Sequence, residues 1–166
     1  AIDKAVFPFA QGGPMMHTIA AKAVCFKEAM GEDFINYQKQ IINNCKVLSD
    51  ELMALGYELI TGGTDNHLLL MDLRKNDITG KEAQELLENA GITANRNVIP
   101  FDPKPPSATS GLRLGVPAIT SRGMKEPEMK QIAGMIHRVL HQKDDCTSEK
   151  VRAEVRELCK KFPINL

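Results

Sequence analysis

The chain has 166 residues, the size of one compact domain, and 43% of them are hydrophobic, which is enough to build a core. Lysine plus arginine and aspartate plus glutamate number 21 each, so we expect no broad electrostatic attraction for nucleic acid or an anionic membrane. No apolar run approaches the roughly 20 residues that span a bilayer, and the N-terminus has no signal-peptide pattern. We therefore expect a cytoplasmic protein without nucleic-acid or membrane partners.

Two predicted helices occupy the first third of the chain. The first opens at Gly12-Gly13-Pro14, with Pro14 well suited to a first helical position, and runs to Gly31. The second carries apolar side chains in steps of seven, which predicts one buried stripe, and Gly56 is placed to stop it. The stripe consists of Phe34, Ile41, Leu48 and Leu55.

Shorter elements follow in the order strand, strand, helix, weak strand, loop, strand, helix, helix. Thr79-Gly80-Lys81-Glu82 is a capping box that starts the first of these helices. The segments are residues 57–59, 68–73, 79–91, 92–95, 98–109, 112–116, 127–140 and 151–162. This order predicts an α/β fold in which a small, mostly antiparallel sheet packs against helices.

Metal ligands are sparse in this sequence. None of the four cysteines belongs to a Cys-x-x-Cys pair, and Cys25, Cys45 and Cys159 are interpreted as reduced core thiols. His137 and His141 are four residues apart on one predicted helix, a spacing that suits a metal, but no third ligand is near them. An ordinary helix surface is the preferred interpretation, so we predict no metal site.

Three segments are candidates for binding small molecules. Gly12 and Gly13 precede a helix, where free N–H groups favour an anion such as phosphate, although a plain helix-entry turn has the same pattern. Arg113 interrupts an apolar strand between glycines, so its guanidinium needs either an internal acid or a ligand carboxylate. The two asparagines of Asn95-Arg96-Asn97 suit the edge of a heterocycle, and equally a turn.

Several longer motifs resemble those of the serine hydroxymethyltransferase family, in the family's order and over essentially the whole chain. Gln11-Gly12-Gly13-Pro14, after Val6-Phe7-Pro8, is similar to the signature that follows the family's cofactor lysine. The segments at 62–68 (GGTDNHL), 79–83 (TGKEA), 95–104 and 109–115 (TSGLRLG) resemble further family motifs. The resemblance implies a pyridoxal-phosphate enzyme that interconverts serine plus tetrahydrofolate and glycine plus 5,10-methylenetetrahydrofolate.

The resemblance also implies roles for individual residues. Arg113 matches the arginine that holds the carboxylate of serine or glycine. Gly13, with Gly12, matches the glycines whose backbone reaches the cofactor phosphate of a neighbouring subunit. Asn97 and Phe7 match residues that contact folate, and the implied assembly is a homodimer or homotetramer.

The family's cofactor lysine follows a Thr-Thr-His stretch, which is absent from these 166 residues, as are the family's other catalytic groups. We therefore expect a C-terminal fragment with no catalytic residue of its own, inactive without the N-terminal large domain. On this interpretation residues 1–30 end the large domain, 31–56 form a connecting helix and 57–166 form the small domain.

Two departures from the family pattern stand out, Phe9 in place of a glycine and Lys104-Pro105-Pro106-Ser107-Ala108 in the loop near the implied folate site. Two other functions remain open. One is the small domain of another aminotransferase-type pyridoxal-phosphate enzyme, although the GGTDNHL run favours the first family. The other is a non-catalytic binding or assembly module.

Overall fold

The computed structural model describes residues 1–164 and divides the chain into two compact units, Ala1–Asn36 and Tyr37–Leu166. Within residues 1–164, none of the helices combines the length and the apolar character needed to cross a membrane. The predicted fold class is confirmed, because a small antiparallel sheet packs with helices in an α/β arrangement.

The first unit contains a short helix, α1 (Ile2–Lys4), an irregular turn over residues 5–10, and helix α2 (Met16–Ala29). The prediction that Pro14 occupies the first helical position is wrong, because α2 begins two residues later with Met15 in extended backbone before it. No residue of α2 is buried, and Cys25 is exposed, contrary to its interpretation as a core thiol. Large apolar side chains such as Phe9 and Met30 are 89% and 83% exposed.

Helix α3 (Glu32–Ala54) supplies one wall of the core of the second unit. The predicted stripe is buried in its middle, at Ile41 and Leu48, while Phe34 and Leu55 at its two ends are 41% and 37% exposed. Asn44 is fully buried as well, and its amide donates to Thr120 Oγ1 and to the carbonyl oxygen of Met124, both at 2.9 Å. The hydrogen bonds offset the cost of burying that amide.

The sheet has four antiparallel strands in the order β1-β2-β4-β3. The strands are β1 (Glu58–Leu59), β2 (Leu68–Asp72), β3 (Asn95–Asn97) and β4 (Gly111–Gly115). The central pair, β2 and β4, is matched over five residues, from Leu68 opposite Gly115 to Asp72 opposite Gly111. The third strand lies later than predicted, at 95–97 and not 92–95, because its polar residues pair with β4.

Four helices complete the second unit, and most of them were predicted from the sequence. α4 (Gly80–Asn89) begins at the predicted capping box, with the Glu82 N–H donating to Thr79 Oγ1 and the Thr79 N–H donating to the Glu82 carboxylate. The short α5 (Pro117–Ser121) was not predicted, and α6 (Glu126–Gln142) and α7 (Asp145–Lys161) follow. Side chains from the helices bury one face of the sheet, among them Leu52, Leu87, Met129, Ile136, Val151 and Leu158.

Two glycines in this unit should respond in opposite ways to substitution by alanine. A Cβ at Gly80 would collide with Thr109 Oγ1 and with the carbonyl oxygen of Gly111, whereas a Cβ at Gly134, inside α6, would meet no atom within 4 Å. We expect Gly80→Ala to lower the free energy of unfolding by about 1–3 kcal/mol through overpacking. Gly134→Ala should raise it by about 0.5–1 kcal/mol by reducing backbone entropy in the unfolded chain.

Urea denaturation of the two variants and the parent chain measures both changes. If Gly80→Ala proved as stable as the parent, the close contact of α4 with residues 109–111 would be incorrect.

Candidate functional site

The side chains of β4 alternate between the two faces of the sheet, as strand geometry requires. Leu112 and Leu114 point into the core and are buried, while Arg113 between them is exposed. From its place in an apolar strand Arg113 was expected to need a partner for its charge, but the exposed guanidinium has no such requirement. Arg113 lies on the sheet face that the core does not use, with Leu70 of β2 and Asn95 of β3 opposite it.

The guanidinium of Arg113 has no acidic partner within residues 1–164 and donates no hydrogen bond there. An internal aspartate or glutamate was one of the two explanations left open by the sequence. Two other arginines of the same unit do have such partners: Arg74 with Asp72 and Arg138 with Glu154. Arg113 is thus free to bind an anion that approaches the open face.

Arg113 lines a groove of about 980 Å³, here called the Arg113 groove. Its walls come from the start of β2, from β3 and the residues before it, and from the connection between β3 and β4. Lining residues include His67, Gln84, Asn95, Arg96, Asn97, Val98, Pro106 and Thr109. Two of the lining residues are arginines, of which Arg113 presents its side chain on this face, and none is acidic in the described part of the chain, so the groove favours an anionic ligand.

Asn97 and Arg113, both predicted as site residues, are brought together in this groove. The Asn97 amide nitrogen donates to the carbonyl oxygen of Val98 at 2.7 Å, which fixes the side chain and leaves its Oδ1 free to accept. Because Asn95 and Asn97 are two residues apart on β3, they share the sheet face that carries Arg113. Both asparagines are therefore strand residues, so the alternative of a simple turn does not apply.

The connection between β3 and β4 is held by one carboxylate, that of Asp102. It accepts hydrogen bonds from the backbone N–H groups of Ile99 (3.2 Å), Lys104 (2.9 Å) and Ser110 (2.9 Å), and from Ser110 Oγ (2.7 Å). Burial alone would raise the pKa of Asp102, but the bonds from Lys104 and Ser110 outweigh it and lower the pKa to about 2. The carboxylate is thus charged at any physiological pH.

The same connection is also bound to helix α4. The N–H groups of Gly80 and Lys81, which are free of helical partners at the start of a helix, donate to the carbonyl oxygens of Thr109 and Ala108 at 3.1 and 3.0 Å. Gly111 lies so close to Ile99 and to the carbonyl oxygen of Asn97 that a Cβ there would collide with both. This wall of the groove is therefore tightly packed where it meets the sheet.

The other predicted site residues, Gly12, Gly13 and Phe7, belong to the first unit. A Cβ at either glycine would meet nothing within 4 Å, and their N–H groups have no acceptor within residues 1–164. Phe7 is 62% exposed. An approaching anion therefore has access to two unpaired backbone donors at Gly12 and Gly13.

Sequence reasoning singled out neither His67 nor Asp102 as a site residue. His67 was visible only as part of a resembling motif, and the hydrogen bonds of Asp102 follow no periodic pattern. His137 and His141 stack with ring centroids 5.3 Å apart, and within residues 1–164 no group of three or more His, Cys, Asp or Glu side chains is placed to hold a metal.

Within residues 1–164, the α/β unit thus carries on its open sheet face an arginine with no acidic partner. The family model of serine hydroxymethyltransferase matches residues 1–136, and the chain belongs to this family. The match includes every predicted site residue, and it ends inside α6.

The low pKa of Asp102 gives a pH-dependent contribution to stability. Because the pKa is lowered from 3.8 to about 2, its hydrogen bonds should stabilise the fold fully above about pH 4 and lose this effect as the pH falls through 2. Asp102→Asn should lower the free energy of unfolding by about 1–2 kcal/mol at pH 6. Urea denaturation of both proteins from pH 2 to 6 measures the difference, which should shrink only at the acid end.

Other carboxylates titrate in both proteins and cancel in that difference, apart from Asp72, which interacts electrostatically with Asp102. A difference that stayed constant down to pH 2 would contradict the assignment of the low pKa to Asp102.

Proposed function

We propose that this chain supplies the substrate-carboxylate and folate-contacting part of a serine hydroxymethyltransferase active site. The reaction is the interconversion of serine plus tetrahydrofolate and glycine plus 5,10-methylenetetrahydrofolate. Family membership supports a one-carbon-group transferase that uses pyridoxal phosphate. The observation that carries the proposal is that, within residues 1–164, the guanidinium of Arg113 is unpaired and no acid lines its groove.

Arg113 binds the carboxylate of serine or glycine in this proposal. A guanidinium fork matches a carboxylate with two parallel hydrogen bonds, which fixes the orientation of the amino acid as well as its position. The pairing of β4 with both β2 and β3 keeps the backbone of Arg113 in place. Substrate orientation then decides which bond at the α-carbon is presented for cleavage.

Folate binds beside the amino acid, against Asn97. The free Oδ1 of Asn97 accepts from an N–H at the edge of the heterocycle, and Phe7 offers an aromatic face from another subunit. Pro106, from the segment that departs from the family pattern, lines the Arg113 groove directly. The surface offered to folate by this wall therefore differs from that of family members with the usual loop sequence.

Pyridoxal phosphate fits the first unit in one respect. The N–H groups of Gly12 and Gly13, which have no acceptor within residues 1–164, would hold its phosphate across a subunit interface. When bound, the cofactor supplies an electron sink for bond cleavage at the α-carbon of the amino acid. The 166 residues contain no Thr-Thr-His stretch with the cofactor lysine after it. The chain therefore has no catalytic residue of its own and is inactive alone.

The partners of the chain follow from the same proposal. Residues 1–30 end a cofactor-binding large domain, 31–56 form the helix that connects it to the small domain, and 57–166 are the small domain. The large domain and a second subunit cover apolar side chains that are exposed in the first unit, including Phe7, Phe9 and Phe26. Exposed apolar surface of this extent is typical of an interaction site, in keeping with the homo-oligomers implied by the family.

Substitution of Arg113 tests the proposal. With a separately expressed N-terminal domain of a family member and pyridoxal phosphate, the chain should bind glycine and turn over serine. Arg113→Lys loses the two-point geometry, and we expect glycine affinity to fall about 30-fold, equivalent to about 2 kcal/mol. Isothermal titration with glycine measures the affinity.

The matched control is Arg156→Lys. Arg156 is an exposed arginine on α7, and this variant should bind glycine with the affinity of the parent chain. Unchanged glycine affinity in Arg113→Lys would contradict the proposed role. Serine turnover by the chain without the N-terminal domain would contradict its inactivity.

A further inference from the structure

The connection between β3 and β4 spans residues 98–110 and has no regular secondary structure. Even so, it supplies one wall of the Arg113 groove, through Val98, Pro106 and Thr109. An irregular segment of this length has a large conformational entropy to lose before it can present a defined surface. Some interaction must therefore hold it in one conformation.

The Asp102 carboxylate is suited to that task because each of its oxygens accepts two hydrogen bonds. Oδ2 joins the N–H of Ile99, two residues after β3, to the N–H of Ser110, the residue before β4. Oδ1 joins the N–H of Lys104 to the hydroxyl of Ser110. One side chain thus ties together the exit from β3, the middle of the connection and the entry to β4.

The backbone on both sides of these bonds is strained. Phe101 has φ +55° and Thr109 has φ +58°, both in the left-handed region that non-glycine residues disfavour. Each such residue costs on the order of 1 kcal/mol, so the conformation persists only if other contacts hold it. Phe101 and Thr109 directly precede Asp102 and Ser110, the two residues whose bonds close the connection.

Arg113 does not depend on this arrangement in the same way. Its strand is paired with β2 over five residues, and its neighbours Leu112 and Leu114 are anchored in the core. Loosening the connection would therefore move the wall formed by Val98 and Pro106 and leave the guanidinium in place. The two sides of the groove are fixed by different interactions.

We propose that Asp102 is a positioning residue for the co-substrate side of the Arg113 groove: its four hydrogen bonds fix the 98–110 wall against which the folate ring binds, and the carboxylate of the amino acid is bound independently of it. The inference rests on the proposed function, to which it adds the residue that sets affinity for folate. Asp102 contacts no substrate itself and acts through the backbone that it holds.

Asp102→Asn is the informative variant, because it keeps the size of the side chain but turns one of its two acceptors into a donor. Asp144→Asn is the matched control: Asp144 accepts from the Thr147 N–H and Thr147 Oγ1, both at 2.8 Å, at the start of α7 and does not line the groove. Ser110→Ala removes only the hydroxyl donor and should give a smaller change in the same direction as Asp102→Asn.

The first measurement is amide hydrogen exchange on the chain itself. In Asp102→Asn we expect exchange at Ile99, Lys104 and Ser110 to accelerate about tenfold or more, because each amide either loses its acceptor or keeps only the weaker oxygen of a neutral amide, while Leu112 and Leu114 stay protected. In Asp144→Asn the same three amides should exchange at the parent rate. Unchanged exchange at Ser110 in Asp102→Asn would overturn the inference.

The second measurement uses the chain reconstituted with the N-terminal domain and pyridoxal phosphate. Asp102→Asn should raise the KM for tetrahydrofolate about five- to tenfold and leave the Kd for glycine within about twofold, because only the co-substrate wall has moved. A general loss of structure would weaken both ligands together. Equal losses for glycine and tetrahydrofolate, or no change in either, would overturn the inference.

The two proposals fail separately. If the parent pair turns over no serine and binds no glycine, the proposed function is wrong. Direct titration of the chain with tetrahydrofolate then decides about Asp102, with a lower affinity in Asp102→Asn supporting its positioning role. An equal affinity, or no binding by either protein, would exclude that role.

Discussion

The antiparallel pairing of β2 with β4 is the constraint on which the rest of this structure depends. Because side chains alternate along a strand, the burial of Leu112 and Leu114 determines that Arg113 lies on the opposite face. A shift of one residue in this register would bury the guanidinium and expose two leucines, which is strongly unfavourable. Core packing on one face therefore fixes the position of the Arg113 guanidinium on the other.

The features of the fold that were predictable are those with a strong local signal. The capping box at Thr79 and the apolar run that forms β2 correspond to elements of the structure. The third strand was predicted too early in the chain because Asn95 and Asn97 have low strand propensity. Their pairing with β4 is a tertiary effect that no local sequence pattern indicates. Pro14 suits a first helical position, but it lies before α2. The preference of proline for that position therefore allows a helix to start there but does not make it start there.

The residue types of the candidate site were predictable from the sequence, but their exposure and their hydrogen-bond and ion-pair partners were not. Arg113 stood out as a charge in an apolar strand, yet its exposure, and its lack of an acidic partner among residues 1–164, depend on which face the core covers. Asp102 was visible only as part of a resembling motif, because hydrogen bonds that a side chain accepts from backbone N–H groups up to eight residues away leave no periodic trace. That Asn97 and Arg113 share one groove follows from the pairing of β3 with β4, which the sequence did not indicate.

The division of the groove into two separately fixed sides bears on the loop sequence that departs from the family. Pro105, Pro106 and Ser107 lie between Lys104 and Ser110, and none of them takes part in the hydrogen bonds of Asp102. Their side chains can therefore change without removing any of the four hydrogen bonds of Asp102. Pro106, however, lines the groove, so a substitution there alters the surface offered to the proposed co-substrate while the proposed carboxylate site at Arg113 is retained. In this arrangement the core constrains the side of the groove that carries Arg113, and the side chains at 105–107 can vary on the other side without changing the bonds of Asp102.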